Sequence, residues 1–233
     1  MDSAAKSQHV HRIFQTIAGN YDRANERISL GLQKHWKRML VAHIAQNAPL
    51  NTKLLDVCCG TGDIALLTAA QRPDIHITGV DFSPAMLEQA QRKSRQYTNV
   101  TWKEADALQL PFPDNTFASV CISFGLRNTA DYTQTLQEMK RVAAAGGYVY
   151  CLDSFVPDNA FIRYFHTGYF KYLVPLLGGG ARYREEYTWL HESTQQFLRK
   201  QALIDLYNSI DITHVECESR MFGACILVQG QKP

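Results

Sequence analysis

Apolar positions change their spacing several times along the chain, and each change marks an element. From residue 10 to 48 they fall three or four apart. "VHRIFQTIAGNYD" (10–22) and "HWKRMLVAHIAQNA" (35–48) each carry a helical stripe, with "NYDRANERISLGLQ" between them. Pro49 and Asn51 then interrupt, and the pattern shortens to apolar runs of strand length: "KLLDVCC" (53–59), "HITGVDFS" (76–83), "NVTWKEAD" (99–106), "FASVCISF" (117–124) and "GYVYCLDSF" (147–155). Helical stretches lie between them: "DIALLTAAQR", ended by Pro73; "PAMLEQAQRKSRQ", with Ser83 as cap and Pro84 in the first turn; and "TQTLQEMKRVA". Strands alternating with helices predict parallel pairing and right-handed crossovers. The end of the chain departs from that rhythm. "ITHVECES" and "ACILVQGQ" are separated only by "RMFG", which predicts a hairpin and one antiparallel strand. Residues 155–200, rich in Phe, Tyr and Trp, read as an insert capping the sheet, and residues 1–50 as a helical lid. Together they predict one domain over 1–233.

Composition narrows the class. The 233 residues carry a net charge of +2 with no basic stripe, so nucleic acid is not expected as a partner. Six scattered cysteines form no C-x-x-C pair and read as reduced, mostly buried thiols; no metal is expected. No run of about 18 apolar residues appears, and the N-terminus has no apolar signal core, so the expected location is cytoplasmic.

Candidate chemistry begins at "LLDVCCGTGD" (54–63). Gly60 and Gly62, between a strand and a helix, would let backbone approach a ligand closely, and Ala65 stands where a dinucleotide fingerprint wants a third small residue. Acids close the strands around it. Asp81, 19 residues past Gly62, is placed to accept from ribose hydroxyls. Asp106, with Ala107 beside it, is placed for an adenine amino group, and Asp56 for a cation at the turn. Asp56 and Asp63 would repel a pyrophosphate and attract the ammonium and sulfonium of S-adenosylmethionine. The candidate cofactor set is therefore Asp56, Gly60, Thr61, Gly62, Asp81, Asp106, Ala107 and Ser123. The terminal hairpin agrees with it, since the seven-stranded methyltransferase sheet ends on a reversed strand. The expected fold is α/β, a class I S-adenosylmethionine-dependent methyltransferase with a Rossmann-like sheet; a Rossmann oxidoreductase is the competing reading.

After the fourth strand stands "SFGLRN", without the Asn/Asp-Pro-Pro-Tyr element of amino-methylating DNA enzymes or the Pro-Cys nucleophile of cytosine-carbon enzymes. "YDRANERISLGLQKHW" (21–36), "DVCCGTGD" (56–63), "SFGLRN" (123–128), "RVAAAGGYVYCLDSF" (141–155) and "YTWLHESTQQF" (187–197) resemble the ubiquinone/menaquinone biosynthesis C-methyltransferase family, more closely its menaquinone branch. Departures are Ala24 in place of a larger apolar residue and "AAAGG" in place of a Lys-Pro turn. The resemblance implies carbon methylation of a polyprenylated quinol, demethylmenaquinol above a benzoquinol. Other apolar small molecules, or a non-catalytic S-adenosylmethionine-binding module, stay open. A quinol carbon becomes nucleophilic once a ring hydroxyl ionises. Arg127 is placed to stabilise the phenolate, Asn128 to orient a water or hydroxyl, and Tyr21 to close over the site. His166, in "RYFHTGYF", is a weaker candidate base. A bilayer-resident substrate implies peripheral membrane contact, expected at "NAFIRYFHTGYFKYLVPLLGGG" (159–180), where aromatics mix with Arg163 and Lys171. A second copy of the chain is a further expected partner.

Overall fold

The computed structural model describes residues 3–177 and 184–233. The three glycines 178–180 and the side chains of Phe170, Pro175, Glu185 and Glu186 lie outside what is described. Three helices lead in: α1 (Ser3–Ile17), α2 (Tyr21–Ile28) and α3 (Leu32–Asn47). Then β1 (Lys53–Val57), α4 (Asp63–Gln71), β2 (His76–Asp81), α5 (Pro84–Lys93), β3 (Val100–Glu104) and β4 (Phe117–Ser123) alternate. A short 3-10 turn at Leu126–Asn128 precedes α6 (Tyr132–Val142) and β5 (Ala143–Ser154). The cap comprises α7 (Ala160–Gly168), a π-turn at Tyr169–Leu173, α8 (Val174–Leu177) and α9 (Arg184–Gln196). Helix α10 (Lys200–Ser209), β6 (Thr213–Arg220) and β7 (Cys225–Gln231) end the fold.

The seven strands form one sheet in the order β3-β2-β1-β4-β5-β7-β6. The first five are parallel, and β7 runs antiparallel to both its neighbours, as the hairpin predicts. Continuous apolar runs are explained by burial on both faces. In β4, Val120 and Ile122 join the cluster holding Leu136 and Met139 of α6 and Leu203 and Tyr207 of α10. Cys121, one step out of phase, joins Leu40 and Ile44 of α3 and Ile64 of α4. The strand order reverses between β1 and β4, so their carboxyl ends flank the crevice where open α/β sheets bind ligands.

Two boundaries and one element differ from the sequence reading. The N-terminal helix starts at Ser3 rather than near residue 10. Strand β5 starts at Ala143, because "AAAGG" is taken up as a register shift against β4 in which Gly146 adopts φ +71°. Helix α10 was not foreseen; it belongs to the core rather than the cap.

The lid and cap pack together over the crevice. Val10, Ile13 and Ile17 of α1 pack with Met86 of α5 and Trp189 of α9. Ala24 and Ile28 of α2 pack with Val174 of α8, and the Tyr169 hydroxyl donates to the Ile28 carbonyl. Ala24 is almost fully buried there, at 1% exposure, so the small side chain is the one this contact accommodates.

Candidate active site

The turn after β1 is shaped by its two glycines for different reasons. Gly60 (φ +55°) stands on a cavity wall, and a Cβ there would meet only the Tyr21 ring, at 3.9 Å. Gly62 (φ +84°) does not reach that cavity. A Cβ on it would come within 2.4 Å of the Trp102 indole, so this glycine serves packing of the turn against β3. Its expected role in holding cofactor is corrected accordingly. Asp81, at the end of β2, fastens the turn: its carboxylate accepts from Gly60 N at 2.8 Å and from Ser83 N at 2.9 Å.

Below the turn opens a cavity of about 740 Å³ including its open mouth. Asp81, Asp106, Ala107 and Ser123 all line it, while Val10 and Phe14 of α1 and Tyr21 of α2 contribute its other side. S-adenosylmethionine fits this donor set. Burial pushes Asp81 up to about 6, against the pull of its backbone donors, and a carboxylate with two acceptor positions left can take ribose hydroxyls. Asp106 gives one oxygen to Leu108 N at 2.9 Å and keeps the other for a ligand. The Ser123 hydroxyl is buried with no partner in the protein, an arrangement that a polar ligand group would complete. Val10, Phe14 and Phe82 offer apolar surface to a base.

Two expectations about the turn's charge are corrected. Asp56 is buried behind the turn, accepts from Ala65 N at 3.2 Å and from the Cys121 thiol at 3.6 Å, and is pushed up to about 7 by burial. Asp63 is ion-paired with Lys37 at 2.8 Å and Lys93 at 2.5 Å. Burial raises its pKa, but the two ammonium groups outweigh that and hold it at about 2. The turn therefore does not present two free negative charges. Thr61 likewise serves the lid: its hydroxyl donates to Asp22 of α2 at 2.6 Å and accepts from Lys93 at 3.1 Å. Asp56, Thr61, Asp63 and Lys37 line a recess of about 340 Å³ that shares Gly60, Ser123 and Tyr21 with the cofactor cavity.

Beyond Tyr21 and Phe124, which line both spaces, lies a second cavity of about 2610 Å³ including its open mouth. Helix α2, the α2–α3 turn, α7 and the β6–β7 turn wall it. Arg127 reaches it, but not as a free cation. The guanidinium is buried in an ion pair with Asp153, a fully buried acid at the end of β5, while its Nε has no partner. Asn128 faces the cofactor cavity instead of the large one. Its amide oxygen accepts from the Trp189 indole at 3.0 Å and its amide nitrogen donates to Phe124 O at 3.3 Å. Asn128 thus anchors α9 to the 3-10 turn, and the expectation that it orients a reacting hydroxyl is corrected.

Tyr21 lies at the boundary of the two spaces. Burial pushes its hydroxyl up to about 12 despite the attraction of Arg127, so at neutral pH it is a hydrogen-bond donor. His166 lines the large cavity, where burial, reinforced by His191, pushes it down to about 4. A base that weak is poorly matched to a phenol-like proton near 10. Among the described residues, no three His, Cys, Asp or Glu side chains gather as a metal site. The sequence reading missed Asp153 and the α1 contacts. An acid inside the apolar "YVYCLDSF" and the i, i+4 pair Val10–Phe14 were the available signals.

An acid at the end of β2 holding a glycine turn, beneath a sheet with one reversed last strand, defines a class I methyltransferase. Similarity agrees. The family model of the ubiE/COQ5 methyltransferase family matches residues 2–232, and the chain belongs to that family. It is therefore an enzyme, a methyltransferase whose methyl donor is S-adenosylmethionine. It is 38% identical to the demethylmenaquinone methyltransferase of Staphylococcus saprophyticus, over 99% of both chains. To that of Staphylococcus aureus strain JH9 it is 39% identical, over 99% of this chain and 96% of the relative. Among solved structures, the CurJ carbon methyltransferase superposes with a TM-score of 0.67 at 13% identity, over 92% of this chain and 59% of that one. A SAM-dependent methyltransferase from Aquifex aeolicus gives 0.61 at 16% identity, over 84% and 89%. These two likenesses speak to the fold.

Proposed function

We propose that the protein methylates a ring carbon of a polyprenylated quinol, converting demethylmenaquinol to menaquinol. The observation that carries this reading is the pairing of cavities. A cofactor space with Asp81, Asp106 and Ser123 in its wall and a much larger, mostly apolar one meet at Tyr21 and Phe124, and the larger has room for a ring with a hydrocarbon tail. The names of the Staphylococcus relatives support the substrate.

S-adenosylmethionine, when bound, supplies an electrophilic methyl group. The chain's part is to ready the nucleophile. The Tyr21 hydroxyl and the unpartnered Arg127 Nε can donate to a quinol oxygen, favouring its ionised form and placing electron density on the neighbouring ring carbon. With the donor bound, that carbon would take the methyl as the methyl–sulfur bond breaks and the neutral thioether S-adenosylhomocysteine leaves, and release of the ring proton to water would restore the aromatic ring. The lid and cap exclude water while the two ligands are held in line. We take 1–233 as one catalytic unit, with residues 1–50 the lid and the helices within 155–200 the cap. Among the described residues no helix is long and apolar enough to cross a membrane. The proposed location is the cytoplasmic face of the bilayer, with α7 and the residues after it in contact with lipid. A homodimer would have to form without closing the mouth of the large cavity.

Incubation with methyl-labelled S-adenosylmethionine and two demethylated prenyl quinols, a naphthoquinol and a benzoquinol, tests the proposal. One added methyl on the naphthoquinol ring, identified by mass, is expected. Methylation of the benzoquinol alone would overturn the ring assignment, and methylation of neither would overturn the quinol reading.

A further inference from the structure

Nine large apolar side chains are strongly exposed among the described residues, and seven of them lie on the wall of the large cavity. They come from three segments far apart in sequence. Leu30 stands in the α2–α3 turn; Tyr164, Phe165, Tyr172 and Leu173 come from α7 and the π-turn; Met221 and Phe222 form the tip of the β6–β7 hairpin. A soluble surface scatters such residues singly, whereas a ring of them around one opening marks a contact face.

The backbone at two of these segments is also unusual. Leu30 (φ +50°), Met221 (φ +49°) and Phe222 (φ +56°) all occupy the left-handed region. Glycine or asparagine is the relaxed choice there, and bulky side chains adopt it at a cost. Phe222 is 78% exposed, so no packing within the chain accounts for retaining a phenylalanine in that conformation.

Charge selects the occupant. Among the described residues, the cavity's lining includes Arg127, Arg163 and Lys171 and no carboxylate. Arg163 and Lys171 sit among the exposed aromatics of the cap, the mixture that settles at the headgroup depth of an anionic bilayer. A second copy docked on the same face would oppose like charges and seal both mouths.

We propose that the mouth of the large cavity is a membrane-docking collar for an anionic lipid surface, with the Met221–Phe222 hairpin tip as its inserting wedge. This deepens the quinol reading and rests on it for its purpose: a substrate held in the bilayer would enter the cavity through the collar without crossing water. The docking itself needs no substrate and is testable alone.

The experiment is co-sedimentation of the full chain, without quinol, with vesicles of phosphatidylcholine alone or containing about one-third phosphatidylglycerol. Wild type should bind the anionic vesicles and release at high salt. Phe222→Gly should lower the partition coefficient about tenfold. The glycine relieves the left-handed strain, so its melting temperature should be unchanged or higher, which separates lost docking from lost folding. Met221→Ser, retaining the wedge phenylalanine, should fall between them. Wild type that never sediments, or that binds neutral and anionic vesicles equally, would overturn the proposal. So would self-association by light scattering that Phe222→Gly abolishes without any vesicle binding. Wild type that docks but methylates neither quinol would overturn the substrate reading while sustaining the collar.

Discussion

The two cavities are built by opposite means. Around the cofactor space, polar groups are fixed by the sheet: Asp81 is held by two backbone amides, Asp106 by one, and Gly60 by Asp81 in turn. Around the large space Phe124, Arg127, Ser154, Pro157 and Ala224 come from strand ends or the loops beside them, and helices and turns supply most of the rest. Strand ends position atoms rigidly because the ladder holds them: β2 is bonded to both β1 and β3, and β3, at the edge, to β2. Helices of the lid and cap are held chiefly by apolar contacts, which fill space without specifying direction. The difference matches the tasks. A methyl group must be delivered along one line, whereas a hydrocarbon tail needs only to be enclosed.

The largest effect is expected where the two constructions touch, at Arg127. Removing it by Arg127→Ala would leave Asp153 fully buried and unpaired, costing roughly 3–5 kcal/mol of stability. Differential scanning calorimetry should show a melting temperature lower by roughly 6–20 °C. Arg127→Lys keeps a charge for Asp153 but loses the planar fork and its Nε donor. For that variant kcat should fall about ten- to a thousandfold while S-adenosylmethionine affinity stays within about twofold. Unchanged turnover would mean that the guanidinium belongs to the scaffold alone.

Next in size is Asp81. Asp81→Ala should weaken S-adenosylmethionine binding by roughly 1.5–3 kcal/mol in calorimetry, and Asp106→Ala by less, since that site is exposed and water can substitute. An equal loss at both would erase the distinction between a fixed and a replaceable contact. The pH dependence has a definite sign. Asp81 at about 6 and Asp56 at about 7 are raised above their unfolded values, by burial first. Their favourable contribution to folding is complete below about 4 and is lost as pH rises through 6 and 7. Ribose hydroxyls donate to ionised Asp81, so S-adenosylmethionine affinity should be full above about pH 7 and decline as pH falls through 6. Titration calorimetry at pH 5 and 7.5 measures this, and Asp81→Asn should flatten the difference.

The same division decided what the sequence could reveal. Strand ends are legible because an acid closing an apolar run has few reasons to be there, and Asp81, Asp106 and Ala107 line the cavity. Residue types alone could not tell which face of the turn each glycine presents, so Gly62 was assigned to a ligand when Trp102 covers it. Nor could they reveal that Asp56 and Asp63 are muted by burial and by two lysines from α3 and α5, partners 26 and 30 residues away. Arg127 was found by position, but its partner Asp153 was read as an ordinary strand residue. Long-range pairing is what local pattern omits. The segment proposed to meet the membrane stands out by composition over 159–180, while the hairpin tip, only two apolar residues long, carries no periodic signal at all.

The smallest effect should come from the polar fastening between α2 and the glycine turn. Asp22 of α2 accepts from Thr61 at 2.6 Å and from Lys93 at 2.9 Å, and so closes the lid over the glycine turn beside Tyr21. The Asp22 side chain is 43% exposed, and exposed pairs of this kind contribute about 0–1 kcal/mol, less at high salt. Asp22→Asn should therefore speed S-adenosylmethionine release about two- to fivefold in stopped-flow measurements, with kcat nearly unchanged and the effect shrinking as salt is added. Thr61→Val should do the same without altering charge, and without the salt dependence. Apolar packing of α1 on α5 and α9 would still hold the lid in both variants. Release faster by a hundredfold would reverse the ranking, making the fastening rather than the packing the wall of the cofactor space.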